Sequence, residues 1–283
     1  MRILRILILI IFLVTAVFFG VNEYRYLSDI DDEPPVITSD SEEIALSVES
    51  GEEDYLQGVI AIDETDGTVT DSLVFAGRSN FIEEGLVRAD YAAFDSHNNV
   101  GTYSRNVRFY DYRSPQFASR KPLMFKKSSS YDFDFIQASD VLDGDISNKV
   151  KILYSNLYSA TEDAPILLEV TNSVGDIEKL EINVRIVTPQ EYNYLYPALW
   201  GYITYAKVGE PIDPWGMVAG TWQNGEYYGF EETEYDYENV TIDANAVDYD
   251  TPGVYEIIYH LNPVADERTP TGDTILYVVV RDE

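Results

Sequence analysis

One ten-residue stretch occurs twice in this chain. Ala61-Ile62-Asp63-Glu64-Thr65-Asp66-Gly67-Thr68-Val69-Thr70 returns as Ala138-Ser139-Asp140-Val141-Leu142-Asp143-Gly144-Asp145-Ile146-Ser147, so the shared pattern is A-x-D-x-x-D-G-x-[VI]-[ST]. The same offset of 77 positions carries Asp95-Ser96 onto Asn172-Ser173 and Asn106-Val107-Arg108 onto Asn183-Val184-Arg185. An ungapped offset over that length means one folding unit used at least twice, and a repeat limits the architecture more than any other sequence feature.

The type of unit follows from what fills the repeat. Short runs such as Ile44–Val48, Val59–Ile62, Leu86–Phe94 and Tyr103–Tyr110 alternate or are rich in Val, Ile and Tyr, and polar turn clusters such as Asp95-Ser96-His97-Asn98-Asn99 separate them. That spacing predicts a β-sandwich. The second repeat offers Tyr131–Ile136, Val150–Tyr154, Ile166–Thr171 and Leu180–Val187 as strands, with its last turn at Asn172–Asp176. No long helical period appears after residue 21, so the expected class is all-β. Boundaries fall at Asp111–Pro115, where Pro115-Gln116-Phe117 matches Pro35-Val36-Ile37, and at Thr188-Pro189. The expected organisation is an N-terminal hydrophobic helix (1–21), an acidic stalk (22–33), sandwich one (34–113), sandwich two (114–188) and a divergent third sandwich (189–283).

The third unit keeps a frame, Val208–Asp213 with Gly253–His260 and Ile275–Val280, but loses the Asp motif. Gly220–Phe230, dense in aromatic residues, and the acidic Glu231–Glu238 stand in its place.

At the N-terminus, Arg2 and Arg5 precede the apolar run Ile6–Val21. This is an export signal. Val17-Phe18-Phe19-Gly20 lacks the small residues of a cleavage site, and Ile3, Leu4 and a snorkelling Arg5 bring the run close to the ~20 residues a bilayer needs. An uncleaved anchor with the C-terminal bulk outside is therefore expected; secretion after cleavage is the alternative.

Charge excludes some partners. With 50 acidic against 19 basic residues, net −31, the chain repels nucleic acid and anionic headgroups. The membrane partner is expected only through the N-terminal helix. No cysteine is present, which removes disulfides, thiolate metal sites and cysteine nucleophiles.

Together, the D-x-x-D-G-x-[VI]-[ST] motif, the D-S-x-N-N turn and the D-x-x-x-P boundary resemble the tandem immunoglobulin-like domains of bacterial surface proteins, a type also found in some insecticidal crystal toxins and similar to hyalin-type repeats. The resemblance implies seven-stranded sandwiches strung in series as spacer or adhesion modules, with no catalytic residues to carry over.

Asp63, Asp66, Asp140 and Asp143 are the candidate cation ligands. Calcium needs six to eight oxygens, and two aspartates three apart supply part of that shell, with Asp95 a third donor if it lies near Asp63. The competing reading is structural: the first Asp of such a turn binds backbone N–H groups. No cofactor is otherwise expected. A triad through Ser96 or Ser104 and His97 lacks a nucleophile elbow, so no enzyme activity is expected, a glycan hydrolase being the enzymatic alternative. Trp222, Tyr227, Tyr228 and Phe230, with Trp215 nearby, are the candidate binding residues for a protein or glycan at the cell surface, because aromatics give rigid contact area with a polar handle. A purely structural role in a surface assembly is the other alternative.

Overall fold

The computed structural model describes residues 2–28, 31–127, 131–154, 157, 160, 163–264 and 269–282. Helix α1 (Arg2–Ser28) contains a 22-residue apolar segment, Ile3–Tyr24, no part of which is buried in the protein. At 1.5 Å per residue it reaches about 33 Å, enough for a hydrocarbon core of about 30 Å. The helix runs past Val21 into residues expected to form a stalk. Asn22–Leu27 holds no Gly or Pro, and extending an existing helix costs far less than starting one. Residues 29–30 of the expected stalk lie outside the described residues.

Three sandwiches follow, each with seven strands among the described residues. The first holds β1 (Val36–Ser39), β2 (Glu43–Leu46), a single helical turn α2 (Glu52–Tyr55), β3 (Val59–Asp63), β4 (Gly67–Thr68), β5 (Val74–Arg78), β6 (Leu86–Phe94) and β7 (Val100–Phe109). The second holds β8 (Gln116–Ser119), β9 (Met124–Lys126), β10 (Ile136–Asp140), β11 (Gly144–Asp145), β12 (Lys151–Tyr154), β13 (Ala164–Thr171) and β14 (Ile177–Val187). The third holds β15 (Tyr196–Leu199), β16 (Ile203–Lys207), β17 (Val218–Gln223), β18 (Glu226–Tyr228), β19 (Val240–Asp243), β20 (Gly253–Leu261) and β21 (Asp273–Arg281).

All three share one topology. The small sheets run β1-β3-β4, β8-β10-β11 and β15-β17-β18, and the large ones β2-β7-β6-β5, β9-β14-β13-β12 and β16-β21-β20-β19. In each large sheet the second strand of the sandwich pairs parallel with the last, as Ile44 with Val107, Phe125 with Ile186 and Tyr205 with Val279. The third unit therefore has the same strand order although its motif is gone. Strand residues alternate between core and solvent, as period-2 side chains must: Val59, Ala61 and Asp63 of β3 are buried while Ile60 and Ile62 face out.

The segment Tyr131–Ile136, expected as a strand, is irregular up to Ile136. Its alternating aromatics imitate a strand but wrap Phe125: Tyr131, Phe133 and Phe135 have ring centroids 5.5, 4.8 and 5.8 Å from it. The Ile136 N–H donates back to the Phe133 carbonyl at 2.8 Å and closes a turn there.

The chain divides into two compact units, Met1–Tyr110 and Asp111–Glu283. The second unit contains sandwiches two and three, and their cores run together. Ile203, Tyr277 and Val279 of the third sandwich belong to the buried cluster of Phe117, Ile166, Leu168, Leu180 and Val184. Hydrogen bonds reinforce the join: the Tyr277 hydroxyl donates to the Asn183 carbonyl at 2.7 Å, and the Phe117 N–H donates to the Tyr205 hydroxyl at 2.7 Å.

Candidate functional site

The two Asp turns have nearly the same geometry. In the first sandwich, Asp63 ends β3 with its side chain turned inward, and its Oδ1 accepts the Thr65 and Asp66 N–H groups, both at 2.8 Å. Gly67 follows at φ 74°, the left-handed position such a turn requires. Asp66 then reaches across to the β6–β7 turn, where it accepts the Ser96 N–H at 2.7 Å and the Ser96 hydroxyl at 3.0 Å. In the second sandwich Asp140 accepts the Leu142 and Asp143 N–H groups at 2.9 Å, and Asp143 accepts the Ser173 N–H at 2.7 Å and its hydroxyl at 2.5 Å. Lys149 Nζ lies 3.0 Å from Asp143. Burial alone would raise the Asp143 carboxyl, but the bonds from Ser173 and Lys149 outweigh it and hold the group below the usual carboxylate range.

The motif is thus a clasp. Its first Asp shapes a turn of the small sheet, and its second ties that turn to the last hairpin of the large sheet. Asp66 and Asp143 spend both oxygens on this tie, whereas Asp63 stands next to Asp95, as its sequence position suggested, and next to Asp31 of the entry segment. One oxygen from each of Asp31, Asp63 and Asp95 lies within 4.8 Å of the others. Asp31 escapes sequence reasoning because it sits outside the repeated motif; the only signal is its place in D-x-x-x-P before Pro35, matching Asp111 before Pro115.

The structure separates the predicted aromatic residues. Trp222 is buried, 8% exposed, and packs with Tyr196 and Ala198 against Met124 and Tyr194. It is a core residue where the sequence suggested a surface one. Its strand β17 is buried along most of its length, Val218 to Trp222, so the outward position of the alternation is covered too. Tyr228 is half-buried with its hydroxyl on Glu226 at 2.9 Å, and Phe230 is half-buried, edge-on to Tyr237 at 4.9 Å. Tyr227 is exposed and lies 6.5 Å, centroid to centroid, from Trp200, which is 67% exposed and which the sequence did not single out. Trp215 is also exposed. Burial first, then the charges of Glu231 and Glu232, push the Tyr227 phenol up.

An Asn-Gly hairpin builds this face. Asn224 (φ 54°) and Gly225 (φ 88°) form a two-residue loop that pairs Gln223 with Glu226 and Trp222 with Tyr227. Such a loop needs positive φ at both positions. It occupies the place of the Asp turn between the second and third strands of the small sheet.

His97 Nδ1 faces both the Ser96 hydroxyl, at 3.2 Å, and Asp31 Oδ2, at 4.0 Å. A triad histidine uses its two nitrogens for the two partners, and here one nitrogen meets both. His260 Nδ1 pairs with Asp273 across β20–β21 at 2.8 Å.

The fold and its site define an all-β chain of immunoglobulin-like sandwiches behind one N-terminal apolar helix. No family model matches it, and no curated protein does. Among solved structures it is similar to the CBM51-2 domain in complex with GlcNAc and INT domains from Clostridium perfringens ZmpB, at 17% identity and TM-score 0.23 over 53% of this chain and 26% of that one. It is also similar to the Protocadherin GammaB4 extracellular domain, at 12% identity and TM-score 0.19 over 89% and 50%, and to Drosophila N-cadherin EC1-4, at 12% identity and TM-score 0.23 over 89% and 76%. The chain spans a quarter to a half of the ZmpB and GammaB4 chains.

Proposed function

We propose that this chain is a non-enzymatic binding module of the bacterial cell surface, held at the membrane by α1, in which the sandwiches serve as spacer and the third presents a partner-binding face. The single observation that carries this reading is the exposed Trp200–Tyr227 pair. Trp200, in the bend after β15, and Tyr227, on the edge strand β18, leave large aromatic faces in solvent side by side at a cost in solubility, so a contact surface is their best use. The neighbouring acids Glu226, Glu231 and Glu232 would steer encounter and disfavour anionic partners. A glycan or a protein with a basic rim fits such a face.

The test is capture. The double variant Trp200→Ala/Tyr227→Ala should lose binding to surface glycans or to a surface-protein extract by at least about tenfold. Its melting temperature should stay within a few degrees of the wild type, since both side chains are exposed. Unchanged binding would sink this face as the site. Membrane retention after a carbonate wash tests the anchor, and a mature N-terminus near Val21 would show secretion instead.

A further inference from the structure

We propose that Asp31, Asp63 and Asp95 form a calcium site that fastens the segment after helix α1 to the first sandwich. The inference stands apart from the aromatic face of the third sandwich and survives if that reading fails.

The carboxylates come from three separate places: the entry segment, the end of β3 and the β6–β7 turn. Asp63 is 3% exposed, Asp95 is 8% exposed, and the side chain of Asp31 is 8% exposed. The backbone fixes their other lone pairs. Asp63 Oδ1 takes two N–H groups, Asp95 Oδ1 takes the His97 and Asn99 N–H groups at 2.8 Å, and Asp95 Oδ2 takes the Asn99 amide at 2.7 Å. Asp31 Oδ1 takes the Glu33 N–H at 3.3 Å, but Asp31 Oδ2 is buried and has no hydrogen-bond partner. A buried carboxylate oxygen without a hydrogen bond, on one of three clustered carboxylates, is the arrangement proteins avoid unless a cation completes it. Among the described residues, no Lys or Arg makes an ion pair with the three; the one basic group is His97, 4.0 Å from Asp31.

The second sandwich supplies an internal control. Asp140 stands where Asp63 does, but Asn172 replaces Asp95. The Asn172 amide donates to Asp140 Oδ2 at 3.1 Å and to the Tyr112 hydroxyl at 2.9 Å. Tyr112 in turn donates to Asp176 at 2.6 Å. An N–H donor thus fills the position a cation would take, and the site closes with hydrogen bonds alone. In the third sandwich Gln223 and the Asn-Gly hairpin replace the motif altogether. One fold therefore carries two versions of the cluster: Asp95 and Asn99 in the first sandwich become Asn172 and Asp176 in the second, so the acid beside the inward Asp of the turn is exchanged for an amide donor.

The donor set selects the ion. Hard carboxylate oxygens without sulfur or a committed imidazole favour calcium or magnesium over zinc. Calcium accepts six to eight oxygens in a flexible shell that carbonyls and water can complete around three carboxylates, whereas magnesium demands a near-ideal octahedron and gives up its water reluctantly. The Asn99 amide also donates to the Asp31 carbonyl at 2.9 Å, so the entry segment already rests on the β6–β7 turn and the ion would lock it there.

Calorimetry and thermal unfolding on the full chain in detergent test this, with calcium chloride and magnesium chloride as the probes. Calcium at roughly 1 mM, the range of extracellular modules, should raise the unfolding temperature by several degrees, with magnesium far weaker. Asp95→Asn combined with Asn99→Asp, which together copy Asn172 and Asp176 of the second sandwich, should lose at least tenfold in calcium affinity while unfolding close to calcium-free wild type. Asp31→Asn, which removes the charge but keeps an Oδ1 to accept the Glu33 N–H, should lose the calcium response as well. No calcium-dependent shift or binding heat in wild type would overturn the proposal without any variant. An undiminished response in both variants would also overturn it, because weak binding to the acidic surface would then explain the effect.

Discussion

At the scale of single residues, the aspartates of the repeat divide their work. The sequence showed that Asp63, Asp66, Asp140 and Asp143 belong to two copies of one turn. It did not show that Asp66 and Asp143 bind a serine 30 positions away. Asp143→Ala should cost about 1–2 kcal/mol at neutral pH by stranding the Ser173 donors. The sign of its pH dependence follows from the lowered folded pKa. The stabilisation is complete above the unfolded value of about 3.9 and is lost as pH falls through the folded value. Denaturant titrations should therefore find wild type and variant converging below about pH 4. A gap that persists unchanged at pH 2 would place the effect outside the charge. Trp222 and Trp200 teach the complementary lesson. Both are Trp in strand-like or turn-like surroundings, and only the packing of Met124 and Tyr194 over one of them decides which is buried.

At the scale of elements, most strands were legible because period-2 burial and turn residues coincide with them. The exceptions have local causes. Tyr131–Phe135 alternates aromatics yet forms a cluster around Phe125. Arg105 is a charged residue that shares the inward register of Val107 and Phe109 on β7, and it is buried at 3% exposure. Its guanidinium donates to the Tyr91 hydroxyl, the Ser39 hydroxyl and the Tyr55 and Gln57 carbonyls, so each of its three nitrogens has a partner. No pattern of hydrophobicity reveals such a site. The hairpin at Asn224-Gly225 is a sequence-readable element whose meaning is now plain: it stands where the Asp turn would be and carries Tyr227. Gly225→Ala should cost about 1–2 kcal/mol, because φ is 88° and a Cβ there would meet the Tyr192 hydroxyl at 2.9 Å. Thermal unfolding reads this directly, and a neutral result would mean the turn relaxes to another type.

At the scale of the whole molecule, the sandwiches on either side of Thr188 share a core, while the chain divides at Tyr110 and Asp111. Limited proteolysis should therefore leave a stable fragment spanning roughly residues 111–283, with Thr188 uncut, since separating its two sandwiches would expose Ile203, Tyr277 and Val279. Early cleavage at Thr188 would contradict this. By itself the sequence determined the number of units, their β character, the apolar helix and the turns, because these follow from short-range periodicity, turn chemistry and a fixed repeat offset. Only the tertiary structure decided that the third unit keeps the strand order of the first two, that Trp200 and not Trp222 faces solvent, and that Asp31 meets Asp63 and Asp95. Each of those depends on contacts between residues far apart in the chain, and no local pattern records which distant side chain will arrive to cover, pair with or crowd a given residue.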